Sequence, residues 1–239
     1  MNYNFTDRIA IIGGGNMGTA IIGGLLNSGT PADQLIAVEP VAHSQQRLQD
    51  QHKIECLDRA SAILKECGAI IWAVKPQSFA EASQEVATHL TNPLHISVMA
   101  GIRCQSIARR TKAERIVRSM PNTPALIGKG IAALFANKRT TEQDKNFAEY
   151  LFTTIGQYLW VDREALLDPV TALSGSAELA LLSGESLEVL RERVTSRGGT
   201  TAAALAILHE QKVASAFEKA IHAASHRAFE LGNALELEQ

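Results

Sequence analysis

The chain is short of cysteine, of aromatic side chains and of any excess of charge. Its 239 residues hold three cysteines, Cys56, Cys67 and Cys104, widely scattered and without a C-x-x-C pair. That spacing argues against a disulfide framework and against a structural zinc site, and it fits a reducing cytoplasm. Lys and Arg number 23 against 25 Asp and Glu, a net charge of −2, and the isoelectric point lies near 6.4. Such a balance leaves no basic footprint for nucleic acid. No apolar run reaches the ~18 residues that suggest a membrane span. The first apolar stretch, 9–12, runs into glycines and is too short for a signal-peptide core. Neither G-x-S-x-G nor a Walker loop occurs, so serine-hydrolase and nucleoside-triphosphatase readings are poor. What is abundant is ordinary: 46% apolar and 20% charged residues, as in a soluble globular protein with one large domain or two unequal ones.

Short β-branched runs alternate with helical stretches through the first two thirds. Strands are expected at 8–12, 35–38, 69–74, 96–99, 116–119, 130–136 and 158–161. Helices are expected at 16–28, 44–51, 78–90 and 141–155. The run 69–74 is apolar throughout, as a strand buried on both faces should be. This alternation predicts an α/β fold, a doubly wound parallel sheet. Beyond Asp162 no strand-like run recurs, and the chain reads as helix. Val213, Phe217, Ile221, Ala224, Ala228 and Leu231 form an apolar stripe at spacings of three and four, which needs another surface to cover it. A boundary near 162 is expected, with a Rossmann-type dinucleotide-binding domain at 1–162 and an all-helical domain at 163–239.

The segment Gly13-Gly14-Gly15-Asn16-Met17-Gly18 is a G-x-G-x-x-G directly after a strand and opening a helix. Gly13 permits the tight turn, Gly15 lets a pyrophosphate approach the backbone, and Gly18 lets helix and strand pack closely. The helix N-terminus then offers N–H groups and a positive dipole to the phosphates. Glu39 ends the second strand about 20 residues further on, where a carboxylate can accept from both ribose hydroxyls and favour NAD. His43, Ser44 and Arg47 follow closely and could instead hold the 2′-phosphate of NADP. Both NADPH and NADH remain open as cofactor. A second anion site suited to a small carboxylate is offered by Thr195-Ser196-Arg197-Gly198-Gly199-Thr200-Thr201 before an Ala-rich helix, and Ser174-Gly175-Ser176 is a similar turn. Glu218, His222, His226 and Glu230 lie four residues apart and drift around a helix, so they read as solvated pairs and no metal site is expected.

Taken in order, these segments resemble pyrroline-5-carboxylate reductases. The matching pieces are the glycine loop, Ala73-Val74-Lys75-Pro76-Gln77, Met99-Ala100-Gly101, Arg118-Ser119-Met120-Pro121-Asn122-Thr123-Pro124, Thr171-Ala172-Leu173-Ser174-Gly175-Ser176, and Val194-Thr195-Ser196 with Gly198-Gly199-Thr200-Thr201. The resemblance implies NAD(P)H-dependent reduction of 1-pyrroline-5-carboxylate to L-proline, the last step of proline synthesis. It implies a helical domain that builds a dimer or higher oligomer and completes the active site.

Carried over residue by residue, the cofactor would be held by Gly13, Gly15, Asn16, Met17, Gly18, Glu39, Val74, Lys75, Pro76, Ala100, Gly101 and Asn122. Ser174, Ser196, Gly198, Gly199, Thr200 and Thr201 would hold the substrate, with Thr201 near the imine nitrogen as the catalytic residue. Two departures stand out. Arg197 replaces the family's usual proline, and the chain passes from Ser176 straight to Ala177 where the family has a further block of about a helix pair. A β-hydroxyacid-dehydrogenase-like reductase and a non-catalytic dinucleotide-binding protein are the alternative readings.

Overall fold

The protein is described by a computed structural model covering residues 7–167 and 199–212. The chain divides into two compact units, 1–190 and 191–239.

The first unit is built on an eight-stranded sheet. Its elements in chain order are β1 (Arg8–Ile12), α1 (Asn16–Asn27), β2 (Leu35–Val38), α2 (Ala42–His52), β3 (Glu55–Leu57), β4 (Cys67–Trp72), α3 (Phe79–Ala87), β5 (Leu94–Ser97), α4 (Cys104–Thr111), β6 (Ile116–Met120), β7 (Gly130–Ala136), α5 (Glu142–Thr153) and β8 (Gly156–Trp160). Across the sheet the order is β3-β2-β1-β4-β5-β6-β7-β8. Every neighbouring pair is parallel except β6 with β7. The connection 121–129 explains the exception. It is shorter than the dozen or so residues a parallel crossover needs, and it holds only a 3₁₀ turn, Thr123–Ile127.

Successive strand side chains point to opposite faces, and β1 shows the consequence. Ile9 and Ile11 join one core with Ile21, Ile22 and Leu25 of α1 and Phe147, Leu151 and Phe152 of α5. Ala10 and Ile12 join the other with Phe79 and Val86 of α3 and Ile107 of α4. Both faces are therefore covered by helices, the arrangement that a parallel sheet requires. The helix α5 opens on a reciprocal cap. Thr141 Oγ1 accepts from Asp144 N at 3.2 Å, and Asp144 Oδ2 accepts from Thr141 N at 2.9 Å. Arg115, just before β6, donates to Asp144 Oδ1 at 2.7 Å, tying the start of α5 to the sheet.

Two elements appear that the sequence pattern did not announce. The edge strand β3 is three residues long and half-exposed, so it carries no alternation to read. The helix α4 buries Cys104, Ile107 and Thr111, three positions on one helical face interrupted by arginines. In the second unit, Gly199 is the N-cap of a sixth described helix, α6 (Thr200–Glu210). The apolar stripe from Val213 and the Glu218, His222, His226 and Glu230 series lie outside the described residues.

Candidate active site

The strand order places β1 between β2 and β4, so the chain reverses its direction of growth across the sheet at β1/β4. In open parallel sheets, ligands bind beyond the carboxyl ends of the strands at such a switch point. Five adjacent parallel strands end there in the loops singled out from sequence: β1 in Gly13, β2 in Glu39, β4 in Val74, Lys75 and Pro76, β5 in Ala100 and Gly101, and β6 in Asn122. The topology alone brings these residues to one edge.

The glycine loop is shaped by close backbone packing. Gly13 has φ +107, and a Cβ there would lie 2.7 Å from the Ala73 carbonyl oxygen. Its N–H donates to the Val38 carbonyl at 2.9 Å, and Ala73 N donates to the Ile12 carbonyl at 2.8 Å. The turn is thereby stitched to β2 and β4. A Cβ on Gly18 would run into the Gly13 carbonyl oxygen, so α1 sits against the turn only because both positions lack side chains. Gly15 differs. It caps α1 without a side-chain hydrogen bond, and nothing lies within 4 Å of a Cβ built on it. The open space and the helix N-terminus behind it fit a pyrophosphate. Asn16 is exposed and Met17 half-buried beside this opening.

Gly14 is held on both its polar groups. Its N–H donates to Glu39 Oε2 at 2.7 Å. Its carbonyl accepts from Thr19 Oγ1 at 3.2 Å and from Arg47 Nη2 at 3.3 Å. The other Glu39 oxygen accepts from Val41 N at 2.9 Å, and Glu39 is only 8% exposed. The bracing by Thr19 had no sequence signal, since a threonine inside a helix is unremarkable by itself.

On the remaining strands, Lys75 is exposed at the start of a 3₁₀ turn with Pro76 at its first position. Ala100 packs against Met120, Ala133 and Leu167. Asn122 caps the turn after β6, and its Oδ1 accepts from Ile131 N at 2.9 Å. Beside this edge, Arg118 on β6 is fully buried, and its Nη1 donates to Glu164 Oε1 at 3.4 Å. The same oxygen accepts from Cys104 N at 2.7 Å.

The cysteines offer no nucleophile among the described residues. Burial pushes the Cys56 and Cys67 thiols up to about 11 and Cys104 to about 12, so all three stay protonated at neutral pH. Of the expected substrate residues, Gly199, Thr200 and Thr201 form the start of α6. Ser174, Ser196 and Gly198 lie outside the described residues. No described helix is long and apolar enough to cross a membrane.

Comparison with known proteins covers both halves. Residues 8–101 match the family model for NADP oxidoreductase, coenzyme F420-dependent, and 164–231 match that for pyrroline-5-carboxylate reductase dimerisation. The chain is 35% identical to the pyrroline-5-carboxylate reductase of Haemophilus influenzae, covering 93% of this chain and 97% of that one. With the Pseudomonas aeruginosa enzyme it shares 33% identity, over 96% and 98%. A solved pyrroline-5-carboxylate reductase from Coxiella burnetii superposes with a TM-score of 0.67 at 29% identity, covering 95% and 98%. The Pseudomonas alignment runs over 269 positions, 30 more than the chain has residues. At least that many positions of the alignment are therefore gaps in this chain.

Proposed function

The chain belongs to the pyrroline-5-carboxylate reductase family, and we propose that it reduces 1-pyrroline-5-carboxylate to L-proline with NADH or NADPH. The observation that carries this reading is the near-complete two-way coverage of pyrroline-5-carboxylate reductases at 33–35% identity. The geometry of the sheet edge supports it.

The dinucleotide would lie across the switch point. Gly15 and the N-terminus of α1, flanked by Asn16 and Met17, would face the pyrophosphate. Glu39 would meet the adenosine ribose. Val74, Lys75, Pro76, Ala100, Gly101 and Asn122 end neighbouring strands on the same edge and would line the nicotinamide side. When bound, the nicotinamide supplies a hydride to the C=N carbon.

The chain's own residues have the task of placing that carbon. A cyclic imine is basic enough to be protonated readily, and its iminium accepts hydride well, so positioning supplies most of the rate. Ser196, Gly198, Gly199 and Thr200, with Ser174, would bind the carboxylate and hold the ring. Backbone N–H groups at the start of α6 suit an anion. Thr201 would direct its hydroxyl at the ring nitrogen and fix the face presented to the hydride donor. No strong acid is needed, which accords with a site built from glycines and hydroxyls.

We place the domain boundary at 162/163, supported by the start of the dimerisation match at residue 164; the division into compact units falls later, at 190/191. The same match supports self-association as a dimer or larger assembly. The unpaired cysteines support a cytoplasmic location. The test is loss of dihydronicotinamide absorbance on adding pyrroline-5-carboxylate, with proline measured as product.

A further inference from the structure

The end of β2 carries more information than dinucleotide binding alone. In a Rossmann-type site the 2′ position of the adenosine ribose lies beside the residue that ends β2, and an acidic side chain or a nearby cation there separates the two dinucleotides. Here Glu39 fills that place in a specific way. One carboxylate oxygen accepts from Gly14 N–H at 2.7 Å and the other from Val41 N–H at 2.9 Å. Val41 is the N-cap of α2. The protein's own carboxylate therefore already sits at the helix N-terminus nearest the 2′ position, where the dipole would otherwise favour a phosphate.

We infer that this chain selects NADH over NADPH, with Glu39 as the deciding residue. The inference rests on the dinucleotide reading given above. An ionised carboxylate accepts through about four lone-pair sites. Two are used by backbone N–H groups, which leaves acceptor capacity for the 2′- and 3′-hydroxyls of an unphosphorylated ribose. A 2′-phosphate brings only further acceptors and more negative charge, so it has nothing to exchange with Glu39 but repulsion. The side chain cannot simply swing aside, because it is 8% exposed and leaving would unpair two N–H donors at once.

The nearby cation does not rescue the phosphate. Arg47 Nη2 is directed at the Gly14 carbonyl at 3.3 Å, and its Nε is buried without a hydrogen-bond partner. One of its terminal nitrogens is thus engaged by the glycine loop and its Nε faces no acceptor.

The experiment measures dissociation constants for NADH and NADPH by titration calorimetry on the whole chain, without substrate. The wild type is expected to bind NADH at least about tenfold more tightly, since opposed like charges are costly. Glu39→Gln keeps an acceptor for Gly14 N–H and removes the charge, and it should bring the two affinities within about threefold of each other. Arg47→Ala should weaken both dinucleotides alike. Tighter NADPH binding by the wild type, an unchanged ratio in Glu39→Gln, or a selective loss of NADPH in Arg47→Ala would each overturn the inference while leaving the dinucleotide site standing. Failure to bind either dinucleotide would overturn the dinucleotide reading itself.

Discussion

Gly14 donates its N–H to Glu39 Oε2 at 2.7 Å, so the glycine loop after β1 and the end of β2 are one hydrogen-bonded unit. The loop is not a free hinge waiting for a ligand. It is fixed by Glu39 and Val38 on one side, Ala73 on another, and Thr19 and Arg47 beneath. Such preorganisation lowers the ordering cost of binding.

Gly18→Ala should test that fit. The added methyl meets the Gly13 carbonyl oxygen, which is backbone and cannot rotate away. Dinucleotide affinity is expected to fall at least tenfold, with a loss of about 1–3 kcal/mol in stability from overpacking. Gly15→Ala meets open space. It should leave stability nearly unchanged and still weaken dinucleotide binding. Denaturant melts and calorimetric titration of both variants read the difference.

Thr201→Ala addresses the substrate half. With Thr201 orienting the ring nitrogen, kcat should drop about 10–100-fold through lost positioning, while the dissociation constant for the dinucleotide stays fixed. An unchanged kcat would remove Thr201 from the site.

Glu164→Ala should destabilise the chain. Glu164 accepts from Cys104 N at 2.7 Å and from the buried Arg118 at 3.4 Å. Removing it takes the acceptor from the Cys104 N–H at the start of α4 and one ion-pair contact from Arg118, at a cost of about 1–3 kcal/mol. Glu164 is also the first residue of the matched dimerisation segment. Urea titration gives the magnitude, and no change in midpoint would refute a stabilising role for Glu164.

The pH dependence follows from His95. Trp72 Nε1 donates to His95 Nδ1 at 2.9 Å, and the ring is fully buried. Burial, aided by the Arg115 charge, lowers its pKa from 6.5 to about 3. The folded state therefore keeps His95 neutral while the unfolded chain takes up a proton below 6.5. Stability is complete above that pH and declines as pH falls towards 3, at roughly 1 kcal/mol per unit for one proton. Between pH 6.5 and 5, before carboxylates titrate, His95→Gln should flatten this slope. An equal slope in both proteins would contradict the assignment.

Much of the sheet was legible because apolar runs such as Ala69–Trp72, flanked by helical stretches, have few other uses. Gly13, Gly15 and Gly18 were legible because their spacing meets a demand of backbone approach that few other residues satisfy. The strand β3 was not, being too short and too exposed to show a period. The antiparallel β7 leaves no mark in its own residues, and only the length of the segment 121–129 betrays its direction. Glu39 was legible as a candidate, but not its hydrogen bonds to Gly14 and Val41. These depend on how the end of β2 meets the glycine loop in space. Ser174, Ser196 and Gly198 rest on the family resemblance and lie outside the described residues.

The most direct test follows proline formation by the purified whole chain given pyrroline-5-carboxylate and NADH or NADPH. One proline formed for each dinucleotide oxidised is the predicted result. A chain that binds the dinucleotide yet forms no proline would contradict the account.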